Sequence, residues 1–329
     1  MKISRIGIVA ILSAVMIFGF ASCDISVISS TRDGGTTDTT YQFHSTVTYL
    51  AAGTGGSAGT EATYCIFGDW PQTIKAESVT VDETKSVTRG SMTYYLGSDG
   101  NYYAKCTENA CETGYTYSDG TTVAKASASS TKYFRVEPIK WRVLNPSASG
   151  NKILVAESIL TAHRFDDDSN NYKNSEIRAY LNDDFLNAAF TSSAQSLIAD
   201  TAVDNSAEST TDSGNNLTQA TSYACENTSD KIFLLSEKEA TTSEYGFTEY
   251  DVHGLGNSRI RLTTDYAKAN CAVQDARAGY GGWWWLRSPL YNYGSHARLI
   301  LNDGDANRNN FVSRRYGGVV PALSISAGN

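Results

Sequence analysis

The sequence predicts an α+β domain that is rich in loops. Short β-like runs lie toward both ends of the chain, helical patterns lie between them, and the regular strand–helix alternation of parallel α/β proteins is missing. A chain of 329 residues that is 41% hydrophobic can form a sizeable core, and 27 Gly against 5 Pro is typical of many turns. We therefore expect residues 42–329 to form one domain with two main helices and short antiparallel strands.

Residues 1–22 have the features of a lipoprotein signal peptide. Two basic residues precede an apolar run over residues 6–20, which is shorter than the roughly 20 residues that a bilayer span needs. Two small residues then precede Cys23, as in a bacterial lipobox, so we predict cleavage before Cys23 and lipid attachment there. The alternative is an ordinary secretory signal followed by a chance cysteine. The polar residues 23–41 are expected to be a flexible tether.

Strands are predicted where β-branched and aromatic residues alternate with polar ones or run between turn signals. Turn residues at 97–100 favour a hairpin between residues 92–96 and 101–104. The other predicted strands cover residues 46–50, 78–81, 133–136, 139–144, 152–157, 231–235, 259–262 and 317–325.

Two main helices are predicted in the middle of the chain. The first begins after an N-cap at Asn174 or Ser175 and carries an apolar stripe at helical spacing. The second begins at a capping box over residues 192–195 and is expected to bury the apolar residues that follow. Shorter helices are expected after caps at Ser236 and Thr264.

Charge and motif content exclude several classes of function. A net charge of -8 argues against a nucleic-acid partner, because no basic stripe is present to neutralise phosphates. The four histidines are far apart and no phosphate-binding or nucleophile motif occurs, so neither a metal nor a cofactor is expected.

Residues 166–168, all Asp, are interpreted as a solvated loop, with calcium binding as the alternative. Residues 303–307 are interpreted as a turn, because Arg308 stands where a calcium loop needs Gly.

Five cysteines remain after Cys23, so at least one thiol is free if all pairing is within the chain. Cys106 and Cys111 lie close together in a stretch rich in Gly, Tyr and Thr, which favours a local disulfide. The cysteines have neither the spacing nor the His partners of a zinc site.

The composition of residues 290–329 is unusual. These residues are rich in Asn, Tyr, Ser, Asp and Arg, and they contain no Lys, Glu, Gln, Met or Trp. Replacing only the adenines of Asn codons that end in a pyrimidine can give the first set, but it cannot give the second set or a stop codon. The composition therefore indicates a surface that has been diversified by adenine-directed mutagenesis.

Apolar runs bracket this polar stretch. Trp283-Trp284-Trp285-Leu286 is predicted to be a strand with two of its Trp side chains in the core, although an aromatic sugar-binding platform is the alternative. Arg287-Ser288-Pro289 is expected to end that strand, and a second strand is expected from Gly317. A rigid scaffold that holds a diverse loop is what a binding site requires.

Six motifs together resemble a known family. They are Phe67-Gly68-Asp69-Trp70-Pro71-Gln72, Pro138-Ile139-Lys140-Trp141-Arg142-Val143-Leu144, Glu176-Ile177-Arg178-Ala179-Tyr180-Leu181-Asn182, Lys231-Ile232-Phe233-Leu234-Leu235-Ser236, Trp284-Trp285-Leu286-Arg287-Ser288-Pro289, and Gly304 and Gly317 with Pro321-Ala322-Leu323. Over about residues 64–325 the chain resembles the variable proteins of diversity-generating retroelements, and among them the treponemal variable lipoproteins. The resemblance implies a C-type lectin fold of the formylglycine-generating-enzyme type, without enzyme activity.

The resemblance also implies a variable, ligand-binding region at about residues 284–323. Leu299, Ile300, Leu301, Phe311 and Val312 are expected to pack inward. The expected ligand-binding residues are Tyr291, Asn292, Tyr293, Ser295, His296, Arg298, Asn302, Asp305, Asn307, Arg308, Asn309, Asn310, Ser313, Arg315 and Tyr316.

The expected ligand is an unidentified protein or glycan on another cell or host surface. We expect this protein itself to be anchored at the outer membrane by its lipid and displayed at the cell surface. Asp24 keeps inner-membrane retention open as an alternative.

Two other functions also stay open. One is an enzyme of the formylglycine-generating type, or a redox or metal relative that uses Cys271 or Cys225, although the C-terminal Cys pair of that type is missing at residues 314–318. The other is a calcium-dependent lectin.

Overall fold

A computed structural model describes residues 41–51, 62–108, 115–123, 130–210, 225–247, 257–291, 293–306 and 308–326. All of them belong to the unit Thr40–Asn329, one of the two into which the chain divides. The predicted signal peptide, Cys23, Cys111 and nearly all of the predicted tether lie outside the described residues. No helix in the described ranges is both long and apolar enough to cross a bilayer.

Eighteen strands occur in the described residues. They are β1 Thr48–Tyr49, β2 Thr63–Ile74, β3 Val81–Arg89, β4 Met92–Gly97, β5 Tyr102–Thr107, β6 Thr131–Val143, β7 Lys152–Ala156, β8 Ser158–Ile159, β9 Thr161–Ala162, β10 Thr201–Val203, β11 Thr228–Asp230, β12 Ile232–Phe233, β13 Leu262–Thr263, β14 Trp284–Pro289, β15 His296–Ile300, β16 Arg308–Phe311, β17 Gly318–Val319 and β18 Ala322–Ile325.

The larger of the two main sheets has nine strands. Its order is β12-β18-β7-β6-β5-β4-β3, with β2 paired to β6 and β1 paired to β2. Every pair in it is antiparallel, which matches the predicted strand type. The last strand, β18, lies between β12 and β7, so the end of the domain is tied into the same sheet as its beginning.

The smaller main sheet has five strands and contains β15, β16 and β17, which belong to residues 290–329, the tail of the domain. Its order is β16-β15-β14-β17-β9, and only the pair of β14 with β17 is parallel. Two further pairs, β10 with β11 and β8 with β13, stand apart from both main sheets. The prediction of an α+β class is therefore confirmed, since most regular elements are strands and the helices are few and short.

Six short α-helices occur in the described residues: α1 Glu176–Tyr180, α2 Leu186–Ala189, α3 Ser192–Gln195, α4 Ala207–Thr210, α5 Glu237–Ala240 and α6 Asp265–Ala269. The π-helical segment Leu181–Phe185 joins α1 to α2, and together they form the first predicted helix. Ser175 is its N-cap, because its hydroxyl accepts a hydrogen bond from the Arg178 N–H at 3.3 Å. The helix packs on β2, where the rings of Trp70 and Phe185 lie 4.8 Å apart.

The prediction of a second main helix was wrong. Helix α3 is a single turn, and its N-cap is Thr191, whose side chain accepts a hydrogen bond from the Ala194 N–H. The chain leaves the helix because Ile198 forms a β-bridge with Ile325 and the Ala199 N–H donates to the Ser324 carbonyl. Pairing with the last strand of the sheet thus overrides the local helical pattern.

Several strand boundaries also differ from the prediction. The hairpin of β4 and β5 is confirmed, but the two predicted strands on either side of Pro138 are one strand, β6. Pro138 is tolerated because the pairing with β2 is irregular between Ile66 and Asp69, so its missing N–H interrupts no regular ladder. Strand β14 likewise continues to Pro289 and does not end at Arg287.

One hydrophobic core joins the two main sheets and the helices. Trp70, Trp141, Trp284 and Trp285 are among its largest buried side chains. Near it, Glu157 lies between two buried arginines, with Arg142 at 3.1 Å. Burial alone would raise the pKa of Glu157, but Arg261 and Arg142 lower it, so the carboxylate stays charged within the domain.

Candidate functional site

The tail of the domain rests on β14, all six residues of which are buried. Trp284 and Trp285 are fully buried and Trp283 is 7% exposed, so all three indoles belong to the core and not only two. The Trp285 indole N–H donates to the His163 carbonyl at 3.0 Å, and the Trp284 indole N–H donates to the Arg259 carbonyl at 3.2 Å. These bonds fix β14 to two segments that are distant in sequence.

Strands β15 and β16 form a hairpin outside β14. Their register pairs His296 with Phe311 and Leu299 with Arg308. Leu299 is buried in the core, whereas Arg308 and Phe311 are exposed, because β16 is the edge strand of the sheet. In this hairpin β16 is therefore exposed to solvent, while β15 is fixed to β14 on its other side.

An aromatic patch, formed by Tyr293, His296 and Phe311, lies at one end of this hairpin. The ring centroids of Tyr293 and His296 are 5.5 Å apart, and those of His296 and Phe311 are 4.1 Å apart. Tyr293 is 59% exposed and Phe311 is 48% exposed. The expectation that Phe311 packs inward was wrong, because the next residue, Val312, takes the buried position instead.

A cleft of about 830 Å³ lies beside the aromatic patch. Its walls come from the segment that includes β9, from the start of α1, from the residues just after α6 and from the residues just after β16. The lining residues are Ala162, His163, Arg164, Glu176, Asn270, Cys271, Ser313, Arg314, Arg315 and Tyr316. A cleft of this size is typical of sites that bind small molecules or one end of a larger ligand.

The polar groups on the first wall of the cleft are mutually satisfied. Arg164 binds Glu176 through two nitrogens, at 2.5 and 2.7 Å, and its third nitrogen lies 2.8 Å from Asp167. His163 has its Nδ1 atom 2.6 Å from the Arg164 carbonyl oxygen, and burial lowers the pKa of the His163 ring. His163 is therefore a neutral donor to a carbonyl at neutral pH and adds no charge to the cleft.

The opposite wall is built from the tail itself. The Arg314 guanidinium lies 5.7 Å from the Phe311 ring centroid and 5.6 Å from that of Tyr316. The Tyr316 ring in turn meets the Trp283 indole edge-on at 5.9 Å. The aromatic patch and the cleft are thus joined through Arg314 into one continuous surface.

The structure distributes the predicted ligand-binding residues over more than one place. Near the aromatic patch and the cleft it puts Tyr291, Tyr293, Ser295, His296, Asn310, Ser313, Arg315 and Tyr316. At the far end of the hairpin, roughly 13 Å away along the strands, lie Asn302, Asp305 and Arg308. Asn309 is exposed between them on β16, and Asn292 and Asn307 lie outside the described residues.

The far group of residues is engaged with its own neighbours. Asn302 donates a hydrogen bond to Asp275, and Arg308 lies 2.8 Å from Asp305. The turn around Gly304, at a φ of 87°, joins β15 to β16 as the sequence predicted. Among the described residues, no group of three or more His, Cys, Asp and Glu side chains could hold a metal ion.

Arg298 is not a surface residue, in contrast to the prediction. It is 5% exposed, and its Nε atom lies 3.3 Å from the Glu237 carboxylate, which is fully buried at the start of α5. The reason is that β15 is covered on both faces, since Ala297 and Leu299 contact the core while the opposite face meets α5. Arg298 therefore belongs to the framework under the site.

Seven of the ten residues that line the cleft were not among the predicted ligand-binding residues: Ala162, His163, Arg164, Glu176, Asn270, Cys271 and Arg314. The first four belong to segments more than a hundred residues before the tail, and no spacing within those segments indicates a shared site. The fold of the two sheets around β14 brings them together.

The cysteines differ from the predicted pattern. Cys106 is a free thiol, so the expected local disulfide with Cys111 is not formed, whereas Cys271 at the edge of the cleft is disulfide-bonded. Burial raises the pKa of the Cys65 thiol to about 12 and that of the Cys106 thiol to about 11. Cys225 is half-buried, and burial raises its pKa as well. These thiols lack the low pKa of a nucleophile.

The fold and the site define a sheet-rich α+β domain with an exposed hairpin beside a C-terminal cleft. A family model described as "Domain of unknown function (DUF6273)" matches residues 149–327. The match covers more than half of the chain, so the chain belongs to this family. It spans β7 to β18 and therefore includes both the aromatic patch and the cleft. No curated protein and no solved structure matches the chain.

Replacing Arg298 with Met is expected to lower the free energy of unfolding by about 3–5 kcal/mol, because it removes the guanidinium that faces the buried Glu237. Chemical denaturation measures the change. The matched control is Arg308→Met, which breaks an exposed ion pair and is expected to cost less than about 1 kcal/mol. Equal stability of the two variants would contradict the assignment of Arg298 to the framework.

Proposed function

We propose that this chain is a lipid-anchored surface protein whose C-terminal residues form a variable ligand-binding site. The observation that carries the proposal is a coincidence of composition and position. Residues 290–329, which lack every residue type that adenine replacement in Asn codons cannot reach, also supply the aromatic patch and one wall of the cleft. The ligand would be a protein or glycan on another cell or host surface.

The proposal includes a C-type lectin fold of the formylglycine-generating-enzyme type. Two features of the architecture support it. Strands from the beginning and from the end of the domain lie in one antiparallel sheet. A second sheet contains the hairpin of β15 and β16. In such an arrangement the hairpin can change its exposed residues while the sheet behind it stays constant.

The division between constant and variable positions follows from burial. Tyr293, Ser295, Asn309, Ser313 and Arg315 are exposed, and substitutions at exposed positions usually change stability by no more than about 0.5 kcal/mol. By contrast, an added Cβ atom at the neighbouring residue 317 would lie 1.9 Å from the Trp285 indole nitrogen. The exposed positions tolerate many different side chains, whereas the buried positions beneath them tolerate few. This combination suits a diversified binding site.

Two alternative functions have less support. An enzyme that uses Cys271 needs a thiolate, and Cys271 is disulfide-bonded in this structure. A calcium-dependent lectin that uses the turn at Gly304 needs free carboxylates, but Asp305 is ion-paired with Arg308 and Asp303 accepts a hydrogen bond from the Asp305 N–H.

Binding tests the role of the aromatic patch. The mature lipoprotein in detergent is applied to arrays of glycans and host-surface proteins. A variant with both Tyr293→Ser and Phe311→Ser is expected to lose at least about tenfold in affinity for any array ligand, because exposed aromatic anchors dominate binding surfaces. Tyr49→Ser, which removes an exposed aromatic side chain on β1, is the control and should leave binding unchanged. An unchanged profile for the double variant would refute the patch as the site.

Diversification is tested in the genome. We expect a near-identical repeat of the coding sequence for the tail, with Asn-rich codons where the two copies differ, beside a reverse transcriptase gene. Sequencing of the locus in several isolates should show differences only where the repeat has adenine. Differences at other bases of the repeat would rule out adenine-directed mutagenesis.

Lipid anchoring is tested at Cys23. Metabolic labelling with an alkyne-tagged fatty acid should label the wild-type protein and fail with Cys23→Ser, and the variant should move from the detergent phase to the aqueous phase of Triton X-114. Cys225→Ser removes a half-buried thiol and should keep the label. A wild-type protein without label would support the secretory-signal alternative.

A further inference from the structure

The cleft carries an excess of positive charge although the chain as a whole is acidic. The net charge of the chain is -8, yet the cleft is lined by three arginines and a single carboxylate, that of Glu176. Such a local reversal of sign attracts and orients a ligand of negative charge.

One of the three arginines is already neutralised. Arg164 holds Glu176 in a two-point ion pair and contacts Asp167 with its remaining nitrogen. The next carboxylate in that segment, Asp166, is occupied by the backbone N–H groups of Ser169 and Glu176, at 3.0 and 3.2 Å. The carboxylates of Glu176, Asp167 and Asp166 are therefore engaged within the first wall itself.

The other two arginines have no acidic partner among the described residues. The Arg314 guanidinium lies 5.7 Å from the Phe311 ring centroid and 5.6 Å from that of Tyr316, and within the described ranges it has neither an ion pair nor a side-chain hydrogen bond. Arg315 is exposed and has neither an ion pair nor a side-chain hydrogen bond within the described ranges. Both arginines line one wall of the cleft, and the planar fork of a guanidinium matches the planar geometry of a carboxylate.

The groups around these guanidiniums favour a sugar over a peptide. Tyr316 and Phe311 flank Arg314, so an occupant that reaches the charge also lies against aromatic rings. The pyranose ring of an acidic sugar has an apolar C–H face that can pack against an aromatic ring. Its hydroxyl groups can form hydrogen bonds with polar neighbours such as Ser313 and Asn270. A cleft of about 830 Å³ has room for a short oligosaccharide.

We propose that the cleft binds a carboxylate-bearing sugar, with Arg314 and Arg315 as the residues that contact its carboxylate. The inference rests on the proposed function, because it names the ligand class of the same surface. The neutral His163 and the paired Arg164 and Glu176 form the other wall and limit the depth to which the sugar enters.

The test is isothermal titration of the mature lipoprotein in detergent, at low salt, with sialyllactose, lactose and a triglutamate peptide. Sialyllactose and lactose share their neutral sugars and differ in the carboxylate. We expect sialyllactose to bind at least about tenfold more tightly than lactose, as one charge-assisted interaction provides. Arg315→Gln should weaken sialyllactose binding by about tenfold or more, and adding Arg314→Gln should weaken it further.

Arg277→Gln is the matched control, because Arg277 is an exposed arginine that pairs with Asp275 outside the cleft. It should change sialyllactose affinity less than about twofold, a shift too small for the loss of a charge-assisted contact. Equal affinity for lactose, tighter binding of triglutamate, or no effect of Arg315→Gln would overturn the assignment, as would the absence of sialyllactose binding at millimolar concentration. If those results coincide with loss of array binding in the Tyr293 and Phe311 variant, the proposed function stands and only the ligand class fails.

Discussion

The hydrogen bond from the Trp285 indole to the His163 carbonyl, 3.0 Å long, connects one wall of the cleft to the strand under the other wall. It joins a strand under the tail to a segment more than a hundred residues earlier, and because the Trp285 side chain is fully buried, an unmet indole donor would be costly. Gly317 lies against the same indole, at a position where any side chain would collide with it. The width of the cleft and the path of the tail therefore depend on one buried side chain.

Buried ion pairs fix the tail to the rest of the domain from its other side. Arg287 donates from its Nη2 atom to Glu239 at 2.9 Å, and Arg298 faces Glu237, two residues earlier on α5. Buried pairs of this kind add little net stability compared with apolar packing, but removing one partner leaves an isolated charge in the core. They specify a single position for β14 and β15, and the exposed hairpin can change without moving them.

The surface above this framework combines two kinds of recognition. The aromatic patch offers large, rigid contact area through Tyr293 and Phe311, and the cleft offers directed charge through Arg314 and Arg315. Arg314 belongs to both, since it lines the cleft and its guanidinium lies 5.7 Å from the ring centroid of Phe311. A ligand that meets both would bury apolar area and a carboxylate at once, which gives affinity and specificity from a small number of residues.

The sequence by itself determined the α+β class, the start of the first helix at Asn174 or Ser175, the hairpin of β4 and β5 and the turn around Gly304, because each depends on residues that are neighbours in the chain. It also identified the tail as a distinct stretch through its composition. Only the tertiary structure decided that α3 ends after one turn, that Arg298 is buried and Phe311 exposed, and that Cys271 and not Cys106 is disulfide-bonded. Those outcomes depend on which distant strand or helix covers each residue, and no local pattern contains that information.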